Sequence, residues 1–280
     1  VRIIGFTIKL GDSTAILSIG GRPEIQDCYF VSEMSGTGPA ITCLSGSPSI
    51  VDCEFSDLEM STGGCIGIGA GNGFLISGCT FSNIMRTNGT MPATVAVFNS
   101  TNGTIMNCDW SYCSMTTPGG LELRGQLSLY NSSALVDNCN FDNNEEEFGT
   151  ACIAAGLSQV TIDDSTFSAN RTSDQGSAVY LYENSSLEMN NCSLLWNWSG
   201  GTCGSVKIEA DSSATITDSE FNGNSCLGVS EYTPGGGAIR STGDVTLTNC
   251  YFQENSSGSS TTSNSCCGGG ICLVAGNGTL

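Results

Sequence analysis

One skeleton of residues recurs along the whole chain. "GGAIRSTGDVTLTNCYFQEN" (236–255) can be laid over "GSAVYLYENSSLEMNNCSLLWN" (176–197) and over "GGLELRGQLSLYNSSALVDNCNFDNN" (119–144). A small-residue cluster and an apolar pair come first, then a polar turn and an alternating apolar run. Asn or Asp before Cys follows, with an aromatic two residues later. A unit this short cannot bury its own apolar face, so the copies must stack on one another.

Anchored on the aromatic, the copies fall at Phe6, Phe30, Phe55, Phe81, Trp110, Phe141, Phe167, Leu194, Phe221 and Phe252, spaced 24 to 31 residues apart. Two positions earlier stand Cys28, Cys53, Cys79, Cys108, Cys139, Ser165, Cys192, Ser219 and Cys250. The position before that holds only Asp, Asn or Gly: Asp27, Asp52, Gly78, Asn107, Asn138, Asp164, Asn191, Asp218 and Asn249. These residues tolerate a left-handed backbone, so every copy needs a bend there. Short alternating runs such as Val245-Thr246-Leu247 precede the bend, and Cys250-Tyr251-Phe252 leaves it. A third strand is read at the small-apolar pairs Ala40-Ile41, Cys65-Ile66, Thr94-Val95, Cys152-Ile153, Ala178-Val179, Ser205-Val206, Ala238-Ile239 and Gly270-Ile271. Nothing interrupts them with a helical period.

Three short strands per coil, stacked in parallel, predict an all-β fold: a right-handed parallel β-helix solenoid of about nine coils of 24–31 residues. Residues 1–280 read as a single such domain, with Phe over Phe and Cys over Cys at the ~4.8 Å strand spacing. A β-sandwich is the alternative, but it does not demand one bend residue and one aromatic column in every copy. Length varies between the aromatic and the small-apolar strand, most in 222–235 and 253–268. Such insertions map to one face of a solenoid, as a binding face or as tolerated slack. Residues 1–10 enter mid-coil and "GGGICLVAGNGTL" stops where the next bend is due. The expectation is a segment of a longer rod, or copies stacked end to end.

Composition narrows the function classes. A net charge of −19 from 27 acidic and 8 basic residues argues against a nucleic-acid partner and against anionic membranes. No apolar run is long enough to insert in a membrane as a helix. Sixteen Cys suggest disulfides and an oxidising compartment, although many can be small buried hydrophobes. The pairing candidates are Cys108 and Cys113, which stand close together, the adjacent Cys266 and Cys267, and Cys203 and Cys226. Sequons occur at Asn88, Asn99, Asn102, Asn131, Asn170, Asn184, Asn191, Asn197, Asn255 and Asn277. That is roughly twice the number expected by chance, and it points to N-linked glycans and a secretory route to the cell surface.

The residues also resemble a known group. "IIGFTI" is similar to coils of the pectin-lyase-like right-handed β-helix superfamily. Later copies resemble the repeat of the polymorphic outer membrane proteins, marked by GGA-aliphatic and F-x-x-N. Gly236-Gly237-Ala238-Ile239 matches the first signature, and Gly269-Gly270-Ile271 and Gly176-Ser177-Ala178-Val179 match it loosely. Phe141…Asn144, Phe167…Asn170, Phe221…Asn224 and Phe252…Asn255 carry the second, which Leu58, Ile84 and Cys113 break in the early copies. The resemblance implies the fold; its members include lyases, hydrolases, adhesins and scaffolds.

Chemistry is sparse. There is no His, and the cations Arg2, Lys9, Arg22, Arg86, Arg124, Arg171, Lys207 and Arg240 lie in different coils. The Asp163-Asp164 pair is explained by the bend column. Glu145-Glu146-Glu147 reads as a solvated acidic run, with calcium as the weaker alternative. Trp196 and Trp198 flank Asn197 as a sugar-stacking platform or as loop packing. The reading is a non-catalytic structural or adhesive extracellular glycoprotein without cofactor. Its alternatives are a carbohydrate-active or polysaccharide-binding β-helix, and an adhesin binding a protein through its variable loops.

Overall fold

The computed structural model of the chain describes residues 1–32, 38–61, 63–87, 93–115, 125–147, 149–201, 203–227, 235–258, 269–274 and 278–279. They form a parallel β-solenoid of four sheets, taken here in the order in which the chain visits them. Sheet I has 11 strands, sheet II 10, sheet III eight and sheet IV 10. One coil runs through Leu75–Ser77 in sheet I, Thr80–Ser82 in sheet II, Met85–Arg86 in sheet III and Ala93–Phe98 in sheet IV. Every strand then pairs in parallel with its counterpart one coil on, as Leu75–Ser77 does with Thr104–Met106.

The three strands expected per coil are present, and a fourth joins them. Sheet III is built of two-residue strands just after the F-x-x-N bend, such as Glu59–Met60 and Glu145–Glu146. Among the described residues eight coils carry all four strands, one fewer than expected. The anchor of the first copy is also corrected: Ile8, not Phe6, is in register with Phe30, and Phe6 is exposed.

Strand alternation sends one column of each sheet inward. In sheet IV, Ile41, Ile66, Val95, Leu127, Ile153, Val179, Val206 and Ile239 follow one another in register. In sheet II the rings of Phe30, Phe55, Phe81, Trp110, Phe141 and Phe167 stack face on face, with centroids 4.5–4.9 Å apart. Leu194 interrupts the pile before Phe221 and Phe252 resume it at 4.8 Å. Strand spacing fixes this geometry, because rings on one column are held at the distance that favours parallel stacking.

The bends between sheets IV and I, I and II, and II and III share a single device. In each, a left-handed residue is followed by an inward side chain that caps the neighbouring coil. Between sheets IV and I the left-handed residues are Ala70, Asn99, Asn131, Leu157 and the pair Glu183 and Asn184. Behind them runs a serine ladder, Ser100, Ser132, Ser158, Ser185 and Ser212. Each hydroxyl accepts the amide of the preceding rung at 3.1 Å.

Between sheets I and II the bend column is the Asp/Asn/Gly series read from the sequence, at φ 48–63°. The rung behind it is the Cys/Ser column. Cys139 N donates to Ser165 Oγ and Cys192 N to Ser219 Oγ, both at 3.1 Å. The Cys139 thiol itself reaches Asp137 O at 3.3 Å.

Between sheets II and III the left-handed residues are Asp57, Asn83, Tyr112, Asn143, Ala169, Trp196, Gly223 and Glu254. The rung is the Asn of F-x-x-N. Asn170 Oδ1 accepts from Asn144 N and Nδ2, both at 3.0 Å, while Asn170 Nδ2 donates to Phe141 O at 2.8 Å. Asn197, Asn224 and Asn255 repeat the pattern. The motif therefore joins two coils: its Phe stacks on the previous ring, and its Asn binds that ring's carbonyl. The glycines of GGA have an equally local cause. A Cβ on Gly237 would stand 2.0 Å from Gly269 O, and one on Gly204 1.7 Å from Gly237 O. Only glycine permits so close an approach of backbones.

Candidate functional site

With many of the buried polar side chains used in the three ladders, chemistry has to be sought on the outer faces and in two ionic clusters. The first cluster is buried. Arg86 and Glu146 both point inward from sheet III and form an ion pair. Gln126 Nε2 donates to Glu146 Oε1 and to Cys113 O, each at 3.3 Å, and Thr94 Oγ1 donates to Gln126 Oε1 at 2.5 Å. The reading of Glu145-Glu146-Glu147 as solvated is thus corrected at its centre. Alternation exposes Glu145 and Glu147 and turns Glu146 into the rod.

The second cluster stands on the outer face of sheet IV, where the strands bring Lys207 and Arg240 into adjacent register. Two cations from different coils are thereby neighbours. Lys207 Nζ pairs with Glu209 Oε1 at 2.8 Å, bonds to Gln175 Oε1 and lies 5.0 Å from the centre of the Tyr180 ring. Tyr180 stacks on Tyr182 at 5.1 Å, and its hydroxyl reaches Glu209 at 3.4 Å. Burial pushes the Glu209 carboxyl up. Lys207, through hydrogen bond and charge, with Arg240 and the Tyr180 hydroxyl, outweighs it and holds the group below the ordinary carboxylate value. Glu209 is thus a fixed anion. Sequence alternation would have placed Lys207 and Arg240 in one column had their strands been compared.

The thiols are structural. Cys108 and Cys113, close together in sequence and candidates for pairing, are unbridged and buried. They belong to different bends: Cys108 is a rung of the Cys/Ser column, and Cys113 opens the asparagine ladder by donating its amide to Asn144 Oδ1 at 3.0 Å. Burial pushes the Cys113 thiol up to about 12, so it is protonated and unreactive at neutral pH. Cys203 is also unbridged, its thiol donating to Val206 O at 2.8 Å. The buried Cys226 thiol meets Gly236 O at 3.6 Å and Ser257 Oγ at 3.4 Å. Cys266 and Cys267 lie outside the described residues. Among the described residues, no three or more His, Cys, Asp or Glu side chains form a metal-binding group.

The sequons divide by bend. Asn99, Asn102, Asn131, Asn184 and Asn191 are exposed. Asn170 and Asn197 are fully buried rungs, their Nδ2 atoms held between coils. Asn255 is the half-buried last rung, with Nδ2 on Phe221 O at 2.8 Å. Asn88 and Asn277 lie outside the described residues. Trp196 lies across Gly223, and Arg171 stacks on Trp198 at 4.3 Å. The two indoles therefore pack locally and form no shared platform. Asp163 and Asp164 accept from Asn190 and Asn191 at 2.8 and 2.5 Å, as surface rungs.

A family model described as "Right handed beta helix region" matches residues 1–146 and 41–204. The chain belongs to the right-handed β-helix family. No curated protein and no solved structure matches the chain significantly. Membership fixes what the ladders are for: in a β-helix each coil is a template for the next, and the bend residues maintain that template. It fixes no substrate, because function in such a fold resides in the side chains of particular outer faces.

Proposed function

We propose that this β-helix is a structural element of an extracellular or cell-surface glycoprotein, a stiff, non-catalytic rod or filament segment reached through the secretory route. The observation that supports it is continuity. Each ladder uses polar side chains to satisfy backbone groups at the bends, coil after coil, so the polar residues of the interior serve rigidity. At the ~4.8 Å strand spacing, ten strands make a rod of about 45 Å. The likeness to the pectin-lyase-like and polymorphic-outer-membrane-protein repeats supports a surface role, with copies or neighbouring coils as its end-to-end partners. Electron microscopy of the secreted protein tests this by showing straight rods of that length or its multiples. Compact or collapsed particles would overturn it.

The Tyr180–Lys207–Glu209–Arg240 cluster favours a second reading, a polysaccharide-binding or polysaccharide-cleaving face. Turnover or retention of a neutral or acidic polysaccharide, lost in Lys207→Ala, would establish it over the structural one.

A further inference from the structure

Beside the lone sequon Asn191 at the bend between sheets I and II, two bends of the β-helix carry sequons, and they do so for different reasons. Along the asparagine ladder, the residue two beyond the rung is the inward column of sheet III: Glu146, Thr172, Ser199, Cys226 and Ser257. A small polar side chain suits the interior there, so Asn170-Arg171-Thr172 and Asn197-Trp198-Ser199 arise from packing. At the bend between sheets IV and I the corresponding position faces solvent, and the fold accepts Asn72 after Ala70 and Gln159 after Leu157. Yet a hydroxyl stands there in each coil whose left-handed residue is Asn: Thr101 after Asn99, Ser133 after Asn131 and Ser186 after Asn184. Thr101 Oγ1 donates to Asn72 Oδ1 at 3.3 Å and Ser133 Oγ accepts from Asn102 N at 3.0 Å, but neither burial nor the serine ladder requires a hydroxyl only where the bend residue is Asn.

We propose that Asn131 and Asn184 are N-glycosylated, and that the ladder residues Asn170 and Asn197 remain bare in the folded rod. This rests on the secretory reading above. Transfer joins Nδ2 to the anomeric carbon of an oligosaccharide, breaks that carbon's bond to the diphosphate of a lipid-linked donor and releases one Nδ2 proton. Asn131 keeps its second N–H for Asn99 Oδ1, which it already meets at 2.8 Å. Its sugar therefore leaves the surface rung intact. Asn131 and Asn184 stand two coils apart, with Leu157 between them, about 10 Å along the rod at the ~4.8 Å strand spacing. A sugar on Asn170 would instead displace a hydrogen bond to Phe141 O inside the solenoid.

The test is secretion of the chain from a glycosylating host, followed by enzymatic deglycosylation in heavy-oxygen water and peptide mass mapping of the protease-resistant protein. Label at Asn131 and Asn184, absent from Asn170 and Asn197, is expected. Ser133→Ala and Ser186→Ala should each remove one glycan while leaving the left-handed Asn in place and the circular dichroism unchanged. Sugar on Asn170 or Asn197 of folded rods, or on Asn99 with Asn131 bare, overturns the assignment and leaves the glycoprotein reading standing. Complete absence of sugar overturns both.

Discussion

Arg86 and Glu146 pair across two coils inside the rod, with Met115 lying between them in the same column of sheet III. Neither charge is exposed to water. Removing one partner strands the other in a low-dielectric interior, whereas replacing both removes that penalty. Glu146→Ala is expected to destabilise the protein by about 3–5 kcal/mol. The double variant Arg86→Met with Glu146→Leu should recover most of it. Thermal unfolding followed by circular dichroism distinguishes the two, and an equal loss in both would show that the pair itself stabilises.

Asn170 satisfies four partners at once: the amide and the side-chain nitrogen of Asn144, the Phe141 carbonyl, and Asn197 Oδ1, which accepts from both the amide and Nδ2 of Asn170. Asn170→Ala leaves buried donors and an acceptor unpaired, so a loss of about 3 kcal/mol is expected. Asn170→Asp should be as harmful, because a carboxylate cannot donate to Phe141 O. Denaturant midpoints for the two variants check this, and a benign Asp would mean that the donation is dispensable.

The aromatic stack predicts a graded response. Phe141→Ala opens a cavity between Trp110 and Phe167 and should cost about 3–5 kcal/mol. Phe141→Leu copies what Leu194 already does in the same column, so a loss of less than half of that is expected. Comparable melting temperatures for the two would show that filling the space with an aliphatic side chain does not replace the stacked ring.

Stability should fall in alkali. Burial pushes the thiols of Cys113 and Cys192 up to about 12, while the unfolded thiol titrates at its ordinary value near 9. The native state therefore holds protons that the unfolded chain has lost. The thiol contribution is complete below pH 9 and disappears between 9 and 12. Cys192→Ser should flatten the decline without lowering stability at pH 7 by more than about 1 kcal/mol, because Ser165 and Ser219 fill the same rung elsewhere. Melting temperatures from pH 7 to 11 measure both effects.

The stacked architecture is legible in the sequence because Cys139, Phe141 and Asn144 answer to neighbours at the same position in adjoining copies. Comparing copies amounts to looking along the rod. The strand Met85–Arg86 escapes that comparison, since two residues are too few to show alternation and its column mixes Met, Arg, Glu, Thr and Ser. Glu146 is misread for a related reason: its partner is 60 residues away, and its neighbours Glu145 and Glu147 suggest solvent. The sequon excess, taken as one signal of glycosylation, has two sources. Part of it follows from Asn in left-handed bends and small polar residues next to them.

The three ladders all run in one direction. Asn144 caps its amide with Asn170, Ser132 with Ser158, and Cys139 with Ser165, always the coil that follows in the chain. A coil is consequently finished only when its successor arrives, and the newest edge always presents uncapped amides at its corners. The two ends of any stretch of this rod are chemically unlike. Growth from the ribosome, where later coils arrive last, meets the ladders in the order in which they close.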